Sequence, residues 1–516
     1  MVKNRFEEEK KIFNELKRSV LVKGKVLHVA QLLKRAAEKW GNKKALICEN
    51  ESITYLEWYK KSLALTNMLK IRNIKKNDIV LLLFENSLTF YISYFGIIQA
   101  GAVVSPLNVF LKEEELAHII KDAKPKAIVV SNFCAKLLPS KCSSDIFTED
   151  EIDKLQECLE GEIVTTDEND MAVMLYTSGT TGFPKGVMLS SRNIMTNLFQ
   201  GLSRIGMSHE DRAFAVLPLF HSFAQISCLW AGVFIGVTVV IVPKITKKNI
   251  SDGLRHKPTC FMAVPAFYGL LCLLKTAPIE GASLFISGGD ALPSKISGAF
   301  SMIYGRKICN GYGLTEASPI VATDVDDKAS EFGCVGETLP YISFKICGEN
   351  DKEMADGEVG VLWVKGDNIM LGYYNSPAAT KEVLQDGWFC TGDLAYINRE
   401  KKIVICGREK DLIIHRGINV YPQEIENVLL SHPVVISASV VGKEDSAVGE
   451  YPVAFVVLRA GQEGDLGIET DLKKMCSKRL AFYKVPRKVK VLHEFPLTSL
   501  QKVNKKMLKK MYLDKK

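Results

Sequence analysis

The sequence predicts an α/β fold made of a large N-terminal layered domain and a smaller α+β domain that follows it. Short apolar runs typical of buried strands alternate with amphipathic segments typical of helices along most of the chain. A length of 516 residues is long for one domain and suits a large domain plus a small one. Because 47% of the residues are hydrophobic, the chain can bury a substantial core. A repeat fold is excluded, because the sequence has no period of about 20 to 50 residues.

The sequence of the first third of the chain predicts alternating helices and strands that begin the layered domain. The predicted elements are a helix at 30–40, strands at 44–47, 52–54, 78–83 and 126–130, and a helix that begins near Ser87. Two uncharged runs, 86–110 and 213–243, are long enough to span a membrane, but Pro, Gly and polar residues interrupt both. We therefore interpret both runs as buried α/β core.

Charge and cysteine content narrow the class of protein. Basic residues exceed acidic ones by eight, and the segment 484–516 alone carries an excess of nine. Such a tail suits nucleic acid, an anionic membrane or an anionic ligand, and it equally suits a solvated basic helix. Thirteen cysteines without a C-x-x-C pair match neither a disulfide framework nor a zinc site, so we expect reduced core residues. The N-terminal segment mixes acids and bases, which predicts no signal peptide and a cytoplasmic protein.

The stretch 171–193, MAVMLYTSGTTGFPKGVMLSSRN, contains the most informative motif. Hydroxyl groups and glycines replace bulky side chains between two apolar runs at 173–176 and 187–189. The residues between these runs include Thr177, Ser178, Gly179, Thr180, Thr181, Gly182, Lys185 and Gly186. Freed backbone N–H groups, four hydroxyls and one ammonium suit a polyphosphate. The common motif G-x-x-x-x-G-K-[ST] is not matched, because Lys185 precedes a glycine. A flexible Gly/Ser linker is the alternative, but linkers seldom lie between two apolar runs.

The segment YTSGTTGFPKG resembles the signature of the adenylate-forming superfamily, the AMP-binding or ANL enzymes. This superfamily includes acyl-CoA synthetases, luciferases and peptide-synthetase adenylation domains. The resemblance extends over nearly the whole chain, with the motifs in the expected order. It implies an ATP- and acyl-binding domain at 1–406, with two sheets packed by helices and a small β subdomain. It also implies a hinge at 407–411 and a small mobile α+β domain at 412–516 that carries the catalytic lysine.

Two glycine-containing segments supply further nucleotide contacts. LFISGGDALP at 284–293 is a predicted strand that ends in two glycines, and in CNGYGLTEASP at 309–319 a Gly-Tyr-Gly sequence allows close approach to a flat ring. The nucleotide-binding residues that the resemblance implies are Gly288, Gly289, Asp290, Asn310, Gly311, Tyr312 and Gly313. It also implies that Thr315 contacts the α-phosphate and that Glu316 binds Mg²⁺, since a hard cation prefers carboxylate oxygen. A tight turn with an exposed acid is the alternative.

A single histidine marks the implied acyl site. His221 is the only residue with an acidic or basic side chain between Arg212 and Lys244. A histidine in an apolar run is more often a packed core residue than a catalyst. The resemblance instead places His221 at the mouth of the acyl pocket, where it and Thr315 are the implied catalytic residues of the large domain. The implied pocket wall consists of Phe223, Ser227, Gly288, Gly311, Gly313, Pro319 and Ile320.

The last third of the chain carries the remaining motifs. Asp393, in DGWFCTGDLA, is predicted in a strand-end turn, where an Asp often only caps, and the resemblance makes it the ribose ligand. Arg408 and Lys410, also implied nucleotide contacts, lie in a short Gly-led charged segment typical of a hinge. PLTSLQKVNKK resembles the pattern P-x-T-x-x-G-K and makes Lys502 the catalytic lysine, with Gln501 in place of the glycine. The other predicted elements are a helix at 422–430, strands at 434–442 and 452–458, and a helix at 468–480.

The segments NVYPQEIE and GYYNSPAAT make the chain most similar to medium- and long-chain fatty acyl-CoA ligases. In the implied reaction a fatty acid carboxylate attacks the α-phosphate of MgATP, and the thiol of coenzyme A then displaces AMP from the acyl-adenylate. ATP, Mg²⁺ and coenzyme A are therefore the implied cofactors, and a fatty acid is the implied substrate. We expect no nucleic-acid partner, no fused carrier domain, and weak contact of the basic tail with an anionic membrane surface.

Other functions remain open at the sequence level. An acyl-carrier-protein ligase or adenylation enzyme shares the first half-reaction, and an aryl-CoA ligase for coumarate-like acids shares both. A non-catalytic binding protein that keeps the fold is a third alternative. The presence of Glu316, Asp393 and Lys502 argues against it, because a degenerate enzyme is expected to lose such residues.

Overall fold

The structure is a computed structural model that describes residues 2–22, 24–139, 143–177, 184–274, 277–326, 331–348, 352–461, 467–498 and 503–513. The helices of these residues are α1 (Val2–Arg18), α2 (Leu32–Trp40), α3 (Tyr55–Ile71), α4 (Leu88–Gln99), α5 (Glu113–Ala123), α6 (Glu149–Asp153), α7 (Ser191–Ile205), α8 (Ser222–Ala224), α9 (Ala231–Ile235), α10 (Lys247–Leu254), α11 (Pro265–Leu274), α12 (Ser294–Tyr304), α13 (Pro377–Val383), α14 (Pro422–Leu430), α15 (Ile468–Arg479) and α16 (Lys505–Tyr512). A π-helix, Gln225–Trp230, joins α8 to α9.

The strands of the same residues form four sheets. They are β1 (Leu21–Val22), β2 (Lys25–Val26), β3 (Lys44–Cys48), β4 (Glu51–Thr54), β5 (Ile79–Leu83), β6 (Val103–Pro106), β7 (Ala127–Val130), β8 (Asp145–Thr148), β9 (Met171–Thr177), β10 (Lys185–Ser190), β11 (Arg212–Ala215), β12 (Thr238–Ile241), β13 (Cys260–Ala263), β14 (Leu284–Ser287), β15 (Cys309–Gly313), β16 (Ile320–Asp324), β17 (Cys334–Thr338), β18 (Ser343–Cys347), β19 (Gly360–Lys365), β20 (Gly372–Tyr373), β21 (Leu384–Gln385), β22 (Trp388–Ile397), β23 (Ile403–Arg408), β24 (Ile413–His415), β25 (Ile418–Val420), β26 (Val435–Asp445), β27 (Gly449–Leu458) and β28 (Lys488–Leu492).

The first large sheet has the strand order β20-β10-β9-β6-β5-β7-β8. Strands β9, β6, β5, β7 and β8 are parallel, whereas β9 and β10 form an antiparallel hairpin. Every residue of β5 is buried, as expected for a parallel strand that is covered on both faces. The helix predicted near Ser87 is α4, because the Ser87 side chain accepts a hydrogen bond from the backbone N–H of Phe90.

The second large sheet has the order β18-β19-β22-β23-β17-β16-β15-β14-β13-β11-β12-β3-β4. Its strands from β3 to β15 through β12, β11, β13 and β14 are parallel. The strands from β15 to β18 are antiparallel and form the β subdomain. The prediction of two sheets packed by helices plus a small β subdomain is confirmed.

Aromatic side chains pack the helices between the sheets. The Trp58 ring of α3 lies edge-on to the rings of Tyr91 and Phe95 in α4, and Trp230 lies edge-on to Phe95. The uncharged runs at 86–110 and 213–243 supply much of this core, as predicted. Among the described residues, no helix is both long and apolar enough to cross a membrane.

The residues after β23 form their own sheet, in the order β25-β24-β27-β26 with β28 beside β27. Helices α14 and α15 cover this sheet around a separate hydrophobic core. The helix predicted at 422–430 is α14, and the helix predicted at 468–480 is α15, so the small α+β unit is confirmed. The Lys295 ammonium donates to the His432 carbonyl at 2.9 Å, and the Ser294 N–H donates to Asn427 Oδ1 at 3.3 Å.

Candidate active site

The β9–β10 hairpin holds both ends of the phosphate-loop motif. Thr177 and Lys185 are paired across the hairpin, and Gly186 is paired with Tyr176. The Lys185 ammonium lies 5.3 Å from the ring centre of Tyr373, within cation–π range. The predicted phosphate ligands Ser178, Gly179, Thr180, Thr181 and Gly182 lie outside the described residues.

Parallel pairing of β14 and β15 brings the two glycine segments together. Ser287 is paired with Asn310, so Gly288 lies beside Gly311. A Cβ atom on Gly288 would lie 3.3 Å from Phe223 Cε1 and 3.5 Å from the Gly311 carbonyl oxygen, so a side chain there would crowd this approach.

The two segments also contain the predicted site residues Gly313, Asn310, Gly289 and Asp290. A Cβ atom on Gly313 would lie 2.2 Å from the Pro319 carbonyl oxygen, so only glycine fits there. The Asn310 side-chain amide donates to the Cys334 carbonyl at 2.7 Å, which uses one of its two N–H donors within the protein. Gly289 and Asp290 are exposed after β14, and Asp290 accepts a hydrogen bond from the N–H of Ala291.

Tyr312, Asp393 and Arg408 form one cluster that is joined by a hydrogen bond and an ion pair. The Tyr312 hydroxyl donates to Asp393 Oδ2 at 2.6 Å, and Arg408 Nε lies 3.2 Å from Asp393 Oδ1. Asp393 raises the pKa of Arg408, and burial together with Asp393 raises the pKa of Tyr312 well above its usual range. The carboxylate is thereby fixed in orientation between a cation and a phenol. The Tyr312 hydroxyl contacts Asp393, so this tyrosine orients the carboxylate. This role is additional to the predicted contact of its ring with the flat ring of the nucleotide.

Asp393 does not lie in a strand-end turn as the sequence indicated. It lies inside β22, paired with Arg408 of β23. Gly392 has a φ of +68°, and the β22–β23 register shifts at Leu394, so the strand is irregular at this point. Such an irregularity re-aims a side chain without ending the strand, which explains the turn-like sequence.

Thr315 and Glu316 follow β15 in a short 3₁₀ helix. The Tyr373 hydroxyl donates to Glu316 Oε1 at 2.9 Å, and the Thr315 and Ser222 hydroxyl oxygens lie 3.3 Å apart. Burial raises the pKa of Glu316, and the hydrogen bond from Tyr373 opposes that shift. Tyr373 therefore links the candidate metal ligand to Lys185 of the phosphate-loop motif.

A cavity of about 40 Å³ lies where the two large sheets meet. His221, Thr177 and Thr315 line it, so three predicted site residues from different segments converge there. The other lining residues are Pro106, Leu107, Asn108, Leu111, Ile119, Leu175, Tyr176, Pro184, Phe220 and Ser222. The His221 ring centre lies 4.6 Å from that of Phe220.

Apart from the three glycines described above, the predicted acyl-pocket residues lie along α8, the π-helix and the start of β16 with the proline before it. Ser227 is buried in the π-helix, and its hydroxyl donates to the Phe223 carbonyl at 2.6 Å. Asn197 of α7 fixes Ile320 by two hydrogen bonds, one to its carbonyl oxygen and one from its N–H. Pro319 is buried next to Ile320.

The remaining predictions concern the hinge and the catalytic lysine. Gly407 and Arg408 belong to β23, so the first two residues of the predicted hinge are strand. Lys410 is exposed in a 3₁₀ helix, Glu409–Asp411, directly after this strand. Lys502 and Gln501 lie outside the described residues.

Sequence reasoning missed the residues that orient the site. Tyr373, Ser222 and Asn197 each contact a predicted site residue through a side chain. Tyr373 belongs to GYYNSPAAT, a segment that in the sequence indicates only the similarity to fatty acyl-CoA ligases. Ser222 directly follows His221, but a serine in an apolar run carries no signal of its partner.

Comparison with known proteins agrees with this arrangement. The chain matches the family model of the AMP-binding enzyme at residues 33–374 and that of the AMP-binding enzyme C-terminal domain at residues 424–502. The long-chain-fatty-acid–CoA ligase of Bacillus subtilis (strain 168) is 31% identical over 92% of this chain and 93% of the relative. The 2-succinylbenzoate–CoA ligase of Bacillus cytotoxicus is 31% identical over 91% of this chain and 96% of the relative. The crystal structure of ATP-bound MatB from Rhodopseudomonas palustris has a TM-score of 0.85 at 29% identity and covers 95% of this chain and 99% of that chain.

The structure combines a glycine-rich hairpin motif with an oriented carboxylate in a two-sheet domain, and a small α+β unit follows this domain. This is the arrangement of an adenylate-forming enzyme. The chain belongs to the AMP-binding enzyme family, and its relatives make it an adenylate-forming CoA ligase. ATP and coenzyme A are substrates of such ligases. The two relatives at 31% identity act on different acids, so the family leaves the acid open.

Proposed function

We propose that this CoA ligase activates a medium- or long-chain fatty acid. The observation that carries the proposal is the lining of two cavities on either side of Ser222. Among the described residues, no Lys, Arg, Asp or Glu lines the cavity beside His221 or the smaller one, of about 10 Å³, beside the π-helix. A second charge on the substrate would need a partner once it is removed from water. The linings therefore favour an acid whose remaining part is apolar.

The Gln225 side chain at the second cavity is already hydrogen-bonded within the protein, whereas the buried Ser318 hydroxyl has no partner among the described residues. Gln225 Oε1 accepts a hydrogen bond from the Tyr94 hydroxyl at 2.8 Å, and Gln225 Nε2 donates to the Leu219 backbone carbonyl at 3.0 Å. Most of the remaining lining is apolar and comes from Val173, Leu175, Leu189, Ile194, Ile226 and Trp230. Such a wall offers contact to methylene groups.

The first half-reaction must bring two anions together, the fatty acid carboxylate and the α-phosphate. Preorganised cations and hydrogen-bond donors in a site that excludes water can offset this repulsion. In the proposed arrangement Lys502 bridges the carboxylate and the α-phosphate, and Thr315 contacts the α-phosphate. The segment 177–185 holds the β- and γ-phosphates, and Asp393 accepts hydrogen bonds from the ribose hydroxyls.

Mg²⁺ is part of the proposal. Glu316 offers a carboxylate that Tyr373 already orients, beside the hydroxyl of Thr315. Mg²⁺ is usually held by one or two carboxylates together with substrate phosphates and water, so this donor set fits the ion. Among the described residues, no group of three His, Cys, Asp or Glu gathers in one place, which is consistent with an ion that arrives with the nucleotide. When bound, the ion would neutralise phosphate charge.

We further propose that residues 407–411 act as a hinge between an ATP- and acyl-binding domain at 1–406 and a C-terminal domain at 412–516. The two half-reactions require different groups at the same nucleotide. A rotation of the small domain would present Lys502 for adenylation and the turn of Arg416 and Gly417, between β24 and β25, for thioester formation. The exposed 3₁₀ turn around Lys410 is a short segment on which such a rotation can occur.

A cytoplasmic location with weak contact at a membrane surface completes the proposal. On α16, the exposed side chains include Lys506, Met507, Lys510 and Met511, which combine positive charge with apolar contact. Basic residues near an anionic surface contribute about 1 kcal/mol each. Binding to vesicles with and without anionic lipid, compared between wild type and the Lys506→Glu/Lys510→Glu variant, tests this contact.

The substrate proposal is tested by one series of kcat/KM measurements with saturating ATP and coenzyme A. Straight-chain acids from C2 to C18 are compared with coumarate and 2-succinylbenzoate. Burial of a methylene group contributes about 0.8 kcal/mol, so kcat/KM is expected to rise roughly fourfold per CH₂ until the pocket is filled. A rise through C8 or beyond supports the proposal, whereas a maximum at acetate, coumarate or 2-succinylbenzoate contradicts it.

Two alternatives are outcomes of related measurements. An aryl acid is the second candidate, because the Phe223 ring, which lies close to Gly288, offers a surface on which a flat aryl group can pack. A maximum for coumarate in the same series would establish it. An acyl-carrier-protein ligase would prefer a phosphopantetheine arm, so the rate with free coenzyme A is compared with the rate with a purified carrier protein.

A further inference from the structure

The two strands that flank the phosphate-loop motif converge on one carboxylate of α5. Tyr176, the residue before Thr177 in β9, donates its hydroxyl hydrogen bond to Asp122 Oδ2 at 2.7 Å. Asp122 lies in the last turn of α5, outside every motif that the sequence singled out. A hydrogen bond with a charged acceptor over this distance is among the stronger ones in proteins.

The strand on the other side reaches Asp122 through the chain after β20. The Tyr374 N–H donates to the Gly186 carbonyl at 2.7 Å, directly after Lys185 in β10. A Cβ atom on Gly186 would lie 3.3 Å from Tyr374 Cβ, so Tyr374 covers this glycine closely. The next residue, Asn375, donates from its amide to the Asp122 carbonyl oxygen at 3.1 Å and to Oδ1 at 3.3 Å.

We propose that Asp122 is a positioning residue for ATP, because it fixes the spacing of the two strand ends between which the phosphates bind. One carboxylate oxygen accepts from Tyr176 on the β9 side, and the other accepts from Asn375 on the β10 side. Tyr176 and Tyr374 also pack against the apolar cluster below α5, which includes Ile119. Asp122 itself touches no substrate. It acts through the backbone positions of Thr177 and Lys185.

The inference rests on the proposed role of 177–185 in phosphate binding, and the main measurement of its test is therefore ATP binding, with KM for the acid as the comparison. A misplacement of about 1 Å at a preorganised site can lower a rate by about 10². Loss of one hydrogen bond is a milder change, near 1 kcal/mol, which corresponds to about fivefold in a binding constant. The Tyr176→Phe variant removes one hydroxyl and keeps the ring, and Asp122→Ala removes the shared acceptor.

We expect the Kd of ATP, measured by equilibrium dialysis, to rise about three- to tenfold in each variant, while KM for the preferred acid changes less than twofold. The double variant is expected to resemble Asp122→Ala, because both substitutions break the same contact. Asn375→Gly, whose backbone φ of 50° glycine tolerates, is expected to weaken ATP binding in the same direction. Tyr304→Phe is the matched control, since that hydroxyl donates to the Leu271 carbonyl at 2.7 Å in another part of the protein.

Three results would overturn the inference. They are an unchanged Kd for ATP in both Tyr176→Phe and Asp122→Ala, an equal loss of affinity for ATP and for the acid, and additive effects in the double variant. A lower melting temperature with an unchanged Kd would likewise show that Asp122 only stabilises the fold. Failure of the proposed function is recognised separately, because the wild-type protein would then give no acid-dependent exchange of pyrophosphate into ATP with any fatty acid.

Discussion

At the scale of single residues, Lys502 carries the largest expected effect on the first half-reaction. Lys502→Ala is expected to lower the rate of adenylation by roughly 10²–10³, the scale for losing one preorganised donor at developing charge. Thioester formation from supplied acyl-AMP is expected to survive, because that step does not bring two anions together. Pyrophosphate exchange and thioester release measure the two steps separately.

The matched control for this lysine is Lys474→Ala, an exposed lysine of α15 in the same part of the chain. It is expected to leave both half-reactions unchanged. Equal loss of both steps in Lys502→Ala would contradict the proposed role and indicate that the side chain is structural, or that Gln501 marks a different loop.

His28 is expected to make the folded state sensitive to acid. Its Nδ1 accepts a hydrogen bond from the N–H of Ala30, Nε2 lies 3.0 Å from Thr166 Oγ1, and burial lowers the pKa of His28 from 6.5 to about 4. Protonation would remove the Nδ1 acceptor, so the contribution is complete above pH 6.5 and is lost as the pH falls towards 4. The loss is on the order of 3 kcal/mol of unfolding free energy.

The measurement is the denaturant midpoint at pH 7, 5.5 and 4.5 for the wild type and for His28→Asn. Asparagine is also a good N-cap but does not titrate, so the variant is expected to lose less stability between pH 7 and 4.5. The same decrease in both proteins would show that the acid sensitivity arises elsewhere.

The sequence predicts which residues belong to the site where neighbouring residues share the chemistry. It does not predict how their side chains are oriented. Thr315 and Glu316 are consecutive in the chain, so the sequence alone shows that they lie close together. The hydrogen bond from Tyr373 to Glu316 joins residues separated by 57 positions, and no local signal specifies it. The same holds for Asp393, whose pairing with Arg408 depends on strand register and not on composition.

At the scale of elements, α1 is held to the large domain by a buried ion pair. The family model begins at residue 33, yet Arg204 Nε of α7 lies 2.5 Å from Glu9 Oε1 of α1, with both side chains nearly inaccessible to solvent. Arg204 also donates to the backbone carbonyls of Thr323 and Thr338. Loss of one partner of a buried pair leaves an uncompensated charge, so Glu9→Gln is expected to lower the unfolding free energy by about 3 kcal/mol.

Glu7 of the same helix provides the control, because it is exposed and pairs only with Lys10 at 3.0 Å among its described contacts. Glu7→Gln is expected to change stability by less than about 0.5 kcal/mol. Thermal unfolding of the two variants measures the difference, and equal melting temperatures would contradict the importance of the Glu9–Arg204 pair.

Element boundaries were predictable where a local signal fixes them. Pro422 at the first position of α14 marks the start of the helix that the sequence predicts at 422–430. The end of β23 was not predictable, because Gly407 and Arg408 look like hinge residues and become strand only through pairing with β22. The π-helix had no sequence signal, since its run QISCLW, which is apolar or small after Gln225, suits an ordinary helix equally well.

At the scale of the whole molecule, the proposed rotation would present two faces of the C-terminal domain to one nucleotide. The 3₁₀ turn around Lys410 connects β23, which ends at Arg408, to β24, which begins at Ile413. Proline fixes φ near −65° and removes the backbone N–H, so Lys410→Pro is expected to trap one orientation of the small domain. Adenylation is expected to persist while thioester formation falls strongly.

Lys410→Ala separates this effect from the loss of charge, because alanine removes the ammonium group and leaves the backbone free. It is expected to affect adenylation, through the nucleotide contact, more than thioester formation, which is the opposite order to Lys410→Pro. Single-turnover measurements of acyl-AMP formation and of its transfer to coenzyme A resolve the two patterns. If Lys410→Pro leaves both steps near the wild-type rate, the rotation occurs at another position, and the hinge at 407–411 is wrong even though the chemistry of the two half-reactions would stand.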